Sequence, residues 1–337
     1  MILRCLVALG TCLLTFAVSV AAQKLPAARQ VDLLYRQGVA AVQAGDLPQA
    51  RAAFEQVLKL EPGSAEGHNL LGWVLLSQGQ TSEAISQFKS ALRLKPDLAA
   101  AHINLANALV KNGSLADAEA EARSALRLAP NDAEAHRTLG RIASFHSDLA
   151  TAATELSKAV ELQPQRADLR DELGSVLAQS SQSDEAAKQF SEALRLQPGF
   201  AQAALHLGVV RWRQKQMDEA LGLLQRAVES SPQNAQAHFY LARVLEETGQ
   251  PVKAIEELQA AVKLEPGFLE AQTHLGKMLQ RSGNAEGAVA AFRQLVQLRP
   301  DDPDAHNNLG LALIQSGDAT TSIPEFEAAL RLRPADT

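Results

Sequence analysis

Apolar residues recur along most of the chain in two stripes with helical spacing, and the pattern repeats every 34 residues from Val31 onward. Counted within each repeat, the first stripe occupies positions 4, 7, 8 and 11 and the second occupies positions 20, 24, 27, 28 and 30. In repeat 2 the stripes are His68, Leu71, Gly72, Leu75 and then Ala84, Phe88, Ala91, Leu92, Leu94. Steps of three and four residues place each stripe on one face of a helix. Each repeat therefore predicts two helices.

Proline and glycine mark the ends of these predicted helices. Proline recurs at one phase of all nine repeats: Pro62, Pro96, Pro130, Pro164, Pro198, Pro232, Pro266, Pro300 and Pro334. Because proline cannot continue a helix, each marks the end of a second helix. Glycine occupies position 15 in six repeats, where a left-handed residue ends the first helix. A fixed period of this length indicates a solenoid of stacked helical hairpins.

Small residues face large ones within each hairpin. Position 8 is Gly or Ala in every repeat, position 20 is Ala in eight, and position 24 is mostly Phe or Leu. Glycine inside a helix lowers helix stability by about 1 kcal/mol relative to Ala. Its recurrence therefore predicts that another helix approaches closely at this position. The ninth repeat departs, with Ser322 in place of Ala and Pro324 early in its second helix. We expect that helix to start late or to bend.

The pattern resembles the tetratricopeptide repeat in Leu71-Gly72, Ala84-x3-Phe88, Ala91 and Pro96. The resemblance covers nine tandem repeats over residues 31–336. It implies an all-α fold, a right-handed superhelical α-solenoid of antiparallel helix pairs, with first helices lining a concave groove. The aromatic residues of the family's first helix are mostly replaced here by His, Ala or Leu. The family implies binding of proteins or peptides and leaves the partner open.

Residues 1–22 have the features of a secretory signal peptide: a basic start at Arg4, an apolar run and small residues ending at Ala22. Residues 23–30 form a short polar segment. We expect export to the periplasm or the medium, with an uncleaved membrane anchor as the alternative. Both cysteines, Cys5 and Cys12, lie within residues 1–22, so the mature chain would have no disulfide and no cysteine nucleophile.

Composition and motifs argue against an enzyme. The chain is 46% apolar but 4% aromatic, and its net charge of −6 lacks the basic footprint of a nucleic-acid binder. No phosphate-binding glycine loop, HExxH or GxSxG is present. Five histidines recur at position 4, on the buried stripe. Equivalent helices of neighbouring repeats lie about 8–10 Å apart, whereas zinc needs its ligands within about 2.1 Å. We therefore interpret these histidines as packing residues and not as metal ligands. Acidic residues at position 2 fit the first turn of a helix. We expect neither a metal nor a cofactor.

The candidate binding surface is a second stripe on the first helices, at positions 2, 5, 9 and 12, roughly 130° from the buried stripe. Large apolar groups there suggest anchors for a partner, and cations at groove phases would orient acidic side chains. Burial by neighbouring helices is the alternative interpretation. The candidates are Tyr35, Trp73, Ile103, Trp212, Phe239, Arg137, Arg141, Arg213, Arg243, Lys277 and Arg281.

Two functions remain open from the sequence. The leading hypothesis is a non-enzymatic scaffold that holds an extended peptide or a partner helix in the groove. The alternative is a structural or assembly subunit of an envelope secretion, pilus or polysaccharide-export complex, acting through the last repeat. Ile323 and Phe326 would then lie on a face that is either frayed or covered by a partner. Carbohydrate binding has only the two tryptophans in its support.

Overall fold

Short turns join consecutive α-helices throughout residues 26–333, the part of the chain that the computed structural model describes, and no strand occurs among them. The predicted signal segment lies outside the described residues. The first helices are α1 (Ala27–Gln43), α3 (Ala65–Ser77), α5 (Ala99–Lys111), α7 (Ala133–Phe145), α9 (Ala167–Gln179), α11 (Ala201–Arg213), α13 (Ala235–Glu247), α15 (Leu269–Arg281) and α17 (Pro303–Gln315). The second helices are α2 (Leu47–Leu60), α4 (Thr81–Leu94), α6 (Leu115–Leu128), α8 (Leu149–Leu162), α10 (Ser183–Leu196), α12 (Met217–Ser230), α14 (Pro251–Leu264), α16 (Ala285–Leu298) and α18 (Ala319–Leu332).

The all-α prediction is confirmed. From repeat 2 onward each first helix spans positions 1–13, and every second helix spans positions 17–30. Helix α1 begins at Ala27, before the first predicted repeat, so the last residues of the predicted polar segment are helical. None of the helices within residues 26–333 is long and apolar enough to cross a bilayer.

Two compact units make up the described chain, residues 26–113 and residues 114–333. Within each unit, consecutive helices pack against one another. First helices also contact the next first helix directly, as α3 contacts α5 in one unit and α9 contacts α11 in the other. Each first helix therefore has one face against its own second helix and others against its neighbours.

Position 15 ends the first helices in a left-handed conformation, as predicted. Six glycines there have φ between 76° and 89°. In repeats 4, 5 and 6 the same conformation is held by Ser147, Ser181 and Lys215, with φ of 61° to 63°. This conformation costs a residue with a Cβ about 1–2 kcal/mol. The next helix is often capped at position 16, where Asp46 accepts from the backbone N–H of Gln49 at 3.0 Å.

Replacing Ser181 by glycine should therefore stabilise the fold. We expect Ser181→Gly to raise the free energy of unfolding by about 1 kcal/mol, because the left-handed strain is removed. Urea denaturation followed by circular dichroism measures the change. The matched control is Gly283→Ala, whose added Cβ would have no atom within 4 Å, so only its φ of 80° penalises it. A loss of stability in Ser181→Gly would contradict the prediction.

Glycine at position 8 accommodates the large side chain at position 24. Phe54, Phe88, Phe190 and Phe292 are almost fully buried, and each faces such a glycine. A Cβ built on Gly276 would lie 2.5 Å from Phe292 Cε1, well inside van der Waals contact. In repeat 7, where Ala242 replaces the glycine, position 24 is Leu258 instead of phenylalanine. The predicted close approach of the two helices is confirmed.

The pair should respond to substitution as a unit. We expect Gly276→Ala to destabilise the fold by about 1–3 kcal/mol, because overpacking outweighs the gain in helix propensity. Adding Phe292→Leu should recover part of the loss, since it recreates the combination of repeat 7. Gly222→Ala in α12 is the control, since its Cβ would meet nothing within 4 Å. Equal effects of the two Gly→Ala changes would refute the packing argument.

In six repeats, a histidine or arginine at position 4 ties the hairpin to the turn that precedes it. In repeat 7, His238 Nδ1 lies 2.6 Å from Glu257 Oε2 and Nε2 lies 3.1 Å from the carbonyl oxygen of Pro232. His68, His136 and His306 make equivalent contacts, one to Gln or Glu at position 23 of the same repeat and one to the proline carbonyl of the preceding turn. Arg170 replaces histidine in repeat 5 and donates to Pro164 O and Gln189 Oε1. These side chains satisfy a turn carbonyl that the helices leave unpaired.

The predicted late start of the last second helix is wrong. Helix α18 begins at Ala319, the same phase as in all other repeats, and Pro324 lies inside it. Asp318 caps this helix by accepting from Thr321 N at 3.2 Å. Ser322 is buried and donates to the carbonyl of Ala319 at 2.8 Å. A capped first turn and a satisfied hydroxyl allow the helix to form ahead of the proline.

Candidate functional site: the groove of the first helices

Within each unit, position 5 of a first helix bonds to the next first helix and does not lie in open groove. Ile103 and Phe239, both predicted as groove anchors, are only 6% exposed. Polar residues at this position bond to position 6 of the next repeat: Asn69 accepts from Asn104 at 2.9 Å, and Asp171 lies 2.8 Å from His206 Nδ1. The prediction that Ile103 and Phe239 are exposed is therefore wrong.

The groove is lined instead by positions 2, 6, 9 and 13, together with position 12. Steps of four, three and four residues average about 3.7, close to the 3.6 residues of a helical turn. The predicted positions 2, 5, 9 and 12 advance by about 3.3 residues per step, which is less than one helical turn. The predicted stripe therefore winds around the helix and reaches the side that faces the adjacent helix. The one-residue shift explains why position 5 is buried.

In residues 26–113, Trp73 is the main exposed candidate. It lies at position 9 of α3 and is 38% exposed. Tyr35 is half-buried, and its hydroxyl lies 2.5 Å from Ser64 Oγ. Burial raises the pKa of Tyr35 above its ordinary value, so the phenol stays protonated at neutral pH. Trp73 therefore remains a candidate contact residue, whereas Tyr35 closes its own hairpin.

In residues 114–333, a cavity of about 490 Å³ opens between α7, α9 and α11. Phe145 forms part of its wall and is 62% exposed, an unusual state for a phenylalanine. Its lining combines this ring with Arg141, carboxylates and amides: Arg141, Ser144, Phe145, Leu156, Asp171, Glu172, Ser175, Val176, Gln179, Gln202 and His206. The chemistry is mixed, with apolar and hydrogen-bonding groups side by side.

A second cavity of about 250 Å³ adjoins the first and extends to α13. The two share Ser175, Gln179 and His206. The second adds Val209 and Arg213 from α11 and Gln236 and Tyr240 from α13. Together they form a continuous surface on four consecutive first helices, which we call the α7–α13 groove.

Several predicted groove cations are already neutralised by carboxylates. Arg137 donates through Nε to both Glu172 oxygens at 3.0 Å, and its guanidinium is 3.3 Å from Asp168. Arg166 lies 2.6 Å from Asp168, and this hydrogen bond holds the pKa of Asp168 below its usual value. The network stabilises the stack and leaves Arg137 without a free charge for a ligand.

Trp212 is bound within its own unit. Its Nε1 donates to Glu247 Oε1 at 2.7 Å, and the guanidinium of Arg243 lies 4.9 Å from its ring centroid, a cation–π distance. Arg281 donates to Glu246 at 2.8 Å. Trp212, Arg243 and Arg281 thus form an internally paired cluster beside the groove.

Three predicted cations remain unpaired. Arg141, Arg213 and Lys277 are exposed, and none has a carboxylate within ion-pair distance among residues 26–333. Arg141 and Arg213 line the α7–α13 groove, whereas Lys277 lies on α15 beyond it. The two arginines are therefore the cations available to a ligand in this groove.

Ser175, His206 and Asp171 meet in the first cavity but do not form a nucleophilic relay. Ser175 Oγ and Asp171 Oδ1 both approach the same ring nitrogen, Nδ1, at 3.3 and 2.8 Å. Nε2 of His206 contacts Gln202 at 2.8 Å. A relay requires the base to use one nitrogen for the nucleophile and the other for the carboxylate. These three side chains therefore shape the cavity wall.

Phe145, Gln179, Gln202, His206 and Tyr240 were not among the sequence candidates. Gln202 lies at position 2 of the predicted stripe, whereas the other four lie at positions 6 and 13, which the stripe omits. A signal existed for Phe145: position 13 holds Gln, Ser, Lys, Arg or Glu in every other repeat. An aromatic residue at an otherwise polar phase would have identified it.

The match to known repeats agrees with this architecture. Tetratricopeptide repeat family models match residues 35–99, 172–235 and 274–337, and a related model of the same repeat matches residues 75–142 and 211–278. These matches span more than half of the sequence and coincide with the helix pairs. The chain belongs to the tetratricopeptide repeat family.

Solved structures share the fold at low sequence identity. Pseudomonas aeruginosa pilF is 23% identical, with 63% of this chain and 97% of that chain covered and a TM-score of 0.58. A tetratricopeptide repeat protein from Parabacteroides merdae is 16% identical, with 74% and 99% covered and a TM-score of 0.55. A chain from the structure of the APC/C hetero-tetramer Cut9–Hcn1 is 16% identical, with 92% of this chain and 60% of that chain covered and a TM-score of 0.55. No curated protein matches significantly.

Cysteine labelling tests the corrected groove. In a chain with Cys5→Ser and Cys12→Ser, we expect Trp73→Cys and Phe145→Cys to react with a maleimide at least about ten times faster than Ile103→Cys and Phe239→Cys. The buried thiols react only after local opening of the stack. Circular dichroism confirms that each variant is folded. Comparable rates at Ile103 and Phe145 would contradict the assignment of position 5 to the helix interface.

Proposed function

We propose that this chain is a non-enzymatic scaffold that binds an extended segment of a partner protein in the α7–α13 groove. The observation that carries the proposal is a continuous surface on four first helices that includes an exposed phenylalanine, Phe145, and two unpaired arginines, Arg141 and Arg213. Large apolar surfaces rimmed by polar groups are typical of interaction sites.

The dimensions of the groove favour an extended chain. Packed helices lie about 8–10 Å apart, so the four first helices span roughly 30 Å. An extended segment advances about 3.3 Å per residue and would cross this span in about nine residues. The amides of Gln179 and Gln236 line the path and can bond to the peptide backbone, which has no internal hydrogen bonds when extended.

The groove chemistry favours a segment with an apolar side chain and two acidic ones. Phe145 offers a flat apolar contact for an aliphatic or aromatic anchor. Arg141 and Arg213 lie two first helices apart, roughly 20 Å, which corresponds to about six extended residues. The paired cluster of Arg137, Glu172 and Asp168 holds the wall in place and limits the ordering cost of binding.

A designed peptide library tests the proposal directly. The probe is a fluorescent pool of 12-residue peptides with glutamate fixed at two positions six residues apart and an aliphatic residue next to the first. We expect binding to the purified chain to weaken with added salt, since surface charges are screened. A pool with lysine at the fixed positions should bind at least about ten times more weakly.

Variants assign the binding to the groove. Phe145→Ala should weaken binding of a selected peptide by about 10-fold or more, and Arg141→Glu and Arg213→Glu by about 5-fold or more each. Arg293→Glu, an exposed arginine on the second helix α16, is the matched charge control. Equal binding of the glutamate and lysine pools, or equal effects of Arg141→Glu and Arg293→Glu, would refute the proposal.

The setting of this function is also a proposal. The signal-like sequence of residues 1–22 supports export, and the absence of cysteine after Cys12 suits an oxidising compartment. We infer a periplasmic or secreted scaffold on these grounds.

A second candidate function is that of an assembly subunit in an envelope complex. One observation favours it: Ile323 and Leu330, seven residues apart on one face of α18, are both exposed. This surface is separate from the α7–α13 groove.

A further inference from the structure

The last described hairpin presents an apolar end face. Ile323 and Leu330 of α18 are exposed on it, and Leu330 is 47% exposed. Phe326, between them along α18, is half-buried. We call this surface, with Asn307 of α17, the α17–α18 end face.

Positions 21 and 28 are buried or half-buried in all eight other repeats. Position 28 is held by Leu194 in α10, which is 8% exposed, and by Val160 in α8, which is also buried. Position 21 is buried at Val289 of α16. In each case the following first helix packs on the second helix, as α11 packs on α10 and α17 on α16. The end face therefore has the composition of an internal interface, and no helix among residues 26–333 covers it.

A cavity of about 370 Å³ on the end face marks where that helix would lie. Its lining includes Asn307, Phe326 and Leu330. In the N-terminal unit, a Cβ on Gly67 of α3 would lie 3.0 Å from Leu58 Cδ2 and 3.1 Å from Tyr35 Oη. Leu58 and Tyr35 hold the same phases of repeat 1 as Leu330 and Asn307 hold in repeat 9. The cavity is thus the place where the residue at position 3 of a following first helix would pack.

The first helices of repeats 2 to 9 show which residues pack against such a surface. Position 3 is Gly or Ala in seven of them, position 7 is Leu in all eight, and position 10 is Val, Ala, Ile or Met. In α15 these residues are Ala271, Leu275 and Met278, all buried. Helix α1 departs, with Leu33, Gln37 and Ala40 at these positions. A second copy of the chain therefore offers a poor match, because Gln37 would be buried where leucine packs.

We propose that the α17–α18 end face binds an amphipathic helix of a partner protein with a small residue, a leucine four residues later and an aliphatic residue three residues after that. The inference extends the second candidate function and is independent of the groove. Leu330 and Ile323 provide the contact area, and the cavity beside Asn307 receives the small residue. The helix would continue the stack as one more first helix.

The probe is a fluorescein-labelled peptide of residues 265–284, which contains α15. We expect saturable binding to the full chain, measured by anisotropy, with a Kd in the range of about 10–500 μM, because a short helix must order on binding. Leu330→Glu in the protein should weaken binding at least about 10-fold, and so should Leu275→Asp in the peptide. Val252→Glu, at an exposed valine of α14, is the matched control and should leave binding unchanged.

Further variants separate this site from the groove. Arg141→Glu and Arg213→Glu should leave binding of the helical peptide unchanged, whatever the outcome of the library experiment. Circular dichroism establishes that Leu330→Glu is folded. No saturable binding up to 1 mM (about twice the weakest Kd expected from the ordering cost), or equal binding of the Leu275→Asp peptide, would overturn the proposal. So would concentration-dependent self-association in sedimentation that Leu330→Glu abolishes, since the occupant would then be a second copy.

Discussion

The contact between position 8 of a first helix and position 24 of its second helix is the constraint on which the rest depends. A buried phenylalanine contributes about 2–3 kcal/mol, and here each one requires a glycine opposite, as Phe292 requires Gly276. The close approach fixes how each first helix is rotated about its axis. That rotation assigns one face to the hairpin, another to neighbouring first helices and a third to the groove. The accessible surface is therefore what remains after packing.

The same stacking determines which charges a ligand can meet. Residues 35 apart in sequence, such as Arg137 and Glu172, come together because position 5 of one first helix faces position 6 of the next. Trp212 and Glu247 do so from positions 12 and 13. Contacts of this kind neutralise Arg137 and Arg281 and leave Arg141 and Arg213 unpaired. A rigid wall with two unpaired cations suits recognition of an acidic segment better than a uniformly basic surface would.

The helices, their turns and the glycine–phenylalanine contacts could be predicted from sequence, because each is a local consequence of periodicity and of proline and glycine chemistry. The groove could be predicted only to within one residue. Position 5 carries Ile103 and Phe239, which are equally consistent with an exposed anchor and a buried contact, and a shift of one residue turns a helix by about 100°. The ion pairs of Arg137 depend on contacts between repeats, which local sequence does not encode. Pro324 predicted a late helix start, but the cap at Asp318 stabilises the first turn ahead of it.

The groove and the end face are expected to act independently. In a stack where each repeat contacts only its neighbours, a helix bound to α18 stabilises the last repeat most, and its effect decreases with each interface crossed. Arg213, the groove cation nearest in sequence to the end face, lies in repeat 6, two complete repeats away from repeat 9. Coupling between two ligands requires a differential interaction with a shared two-state element, and continuous helical packing from α11 to α18 provides many small interfaces instead of one such element. Ligands at the two proposed sites would therefore bind without either one controlling the other.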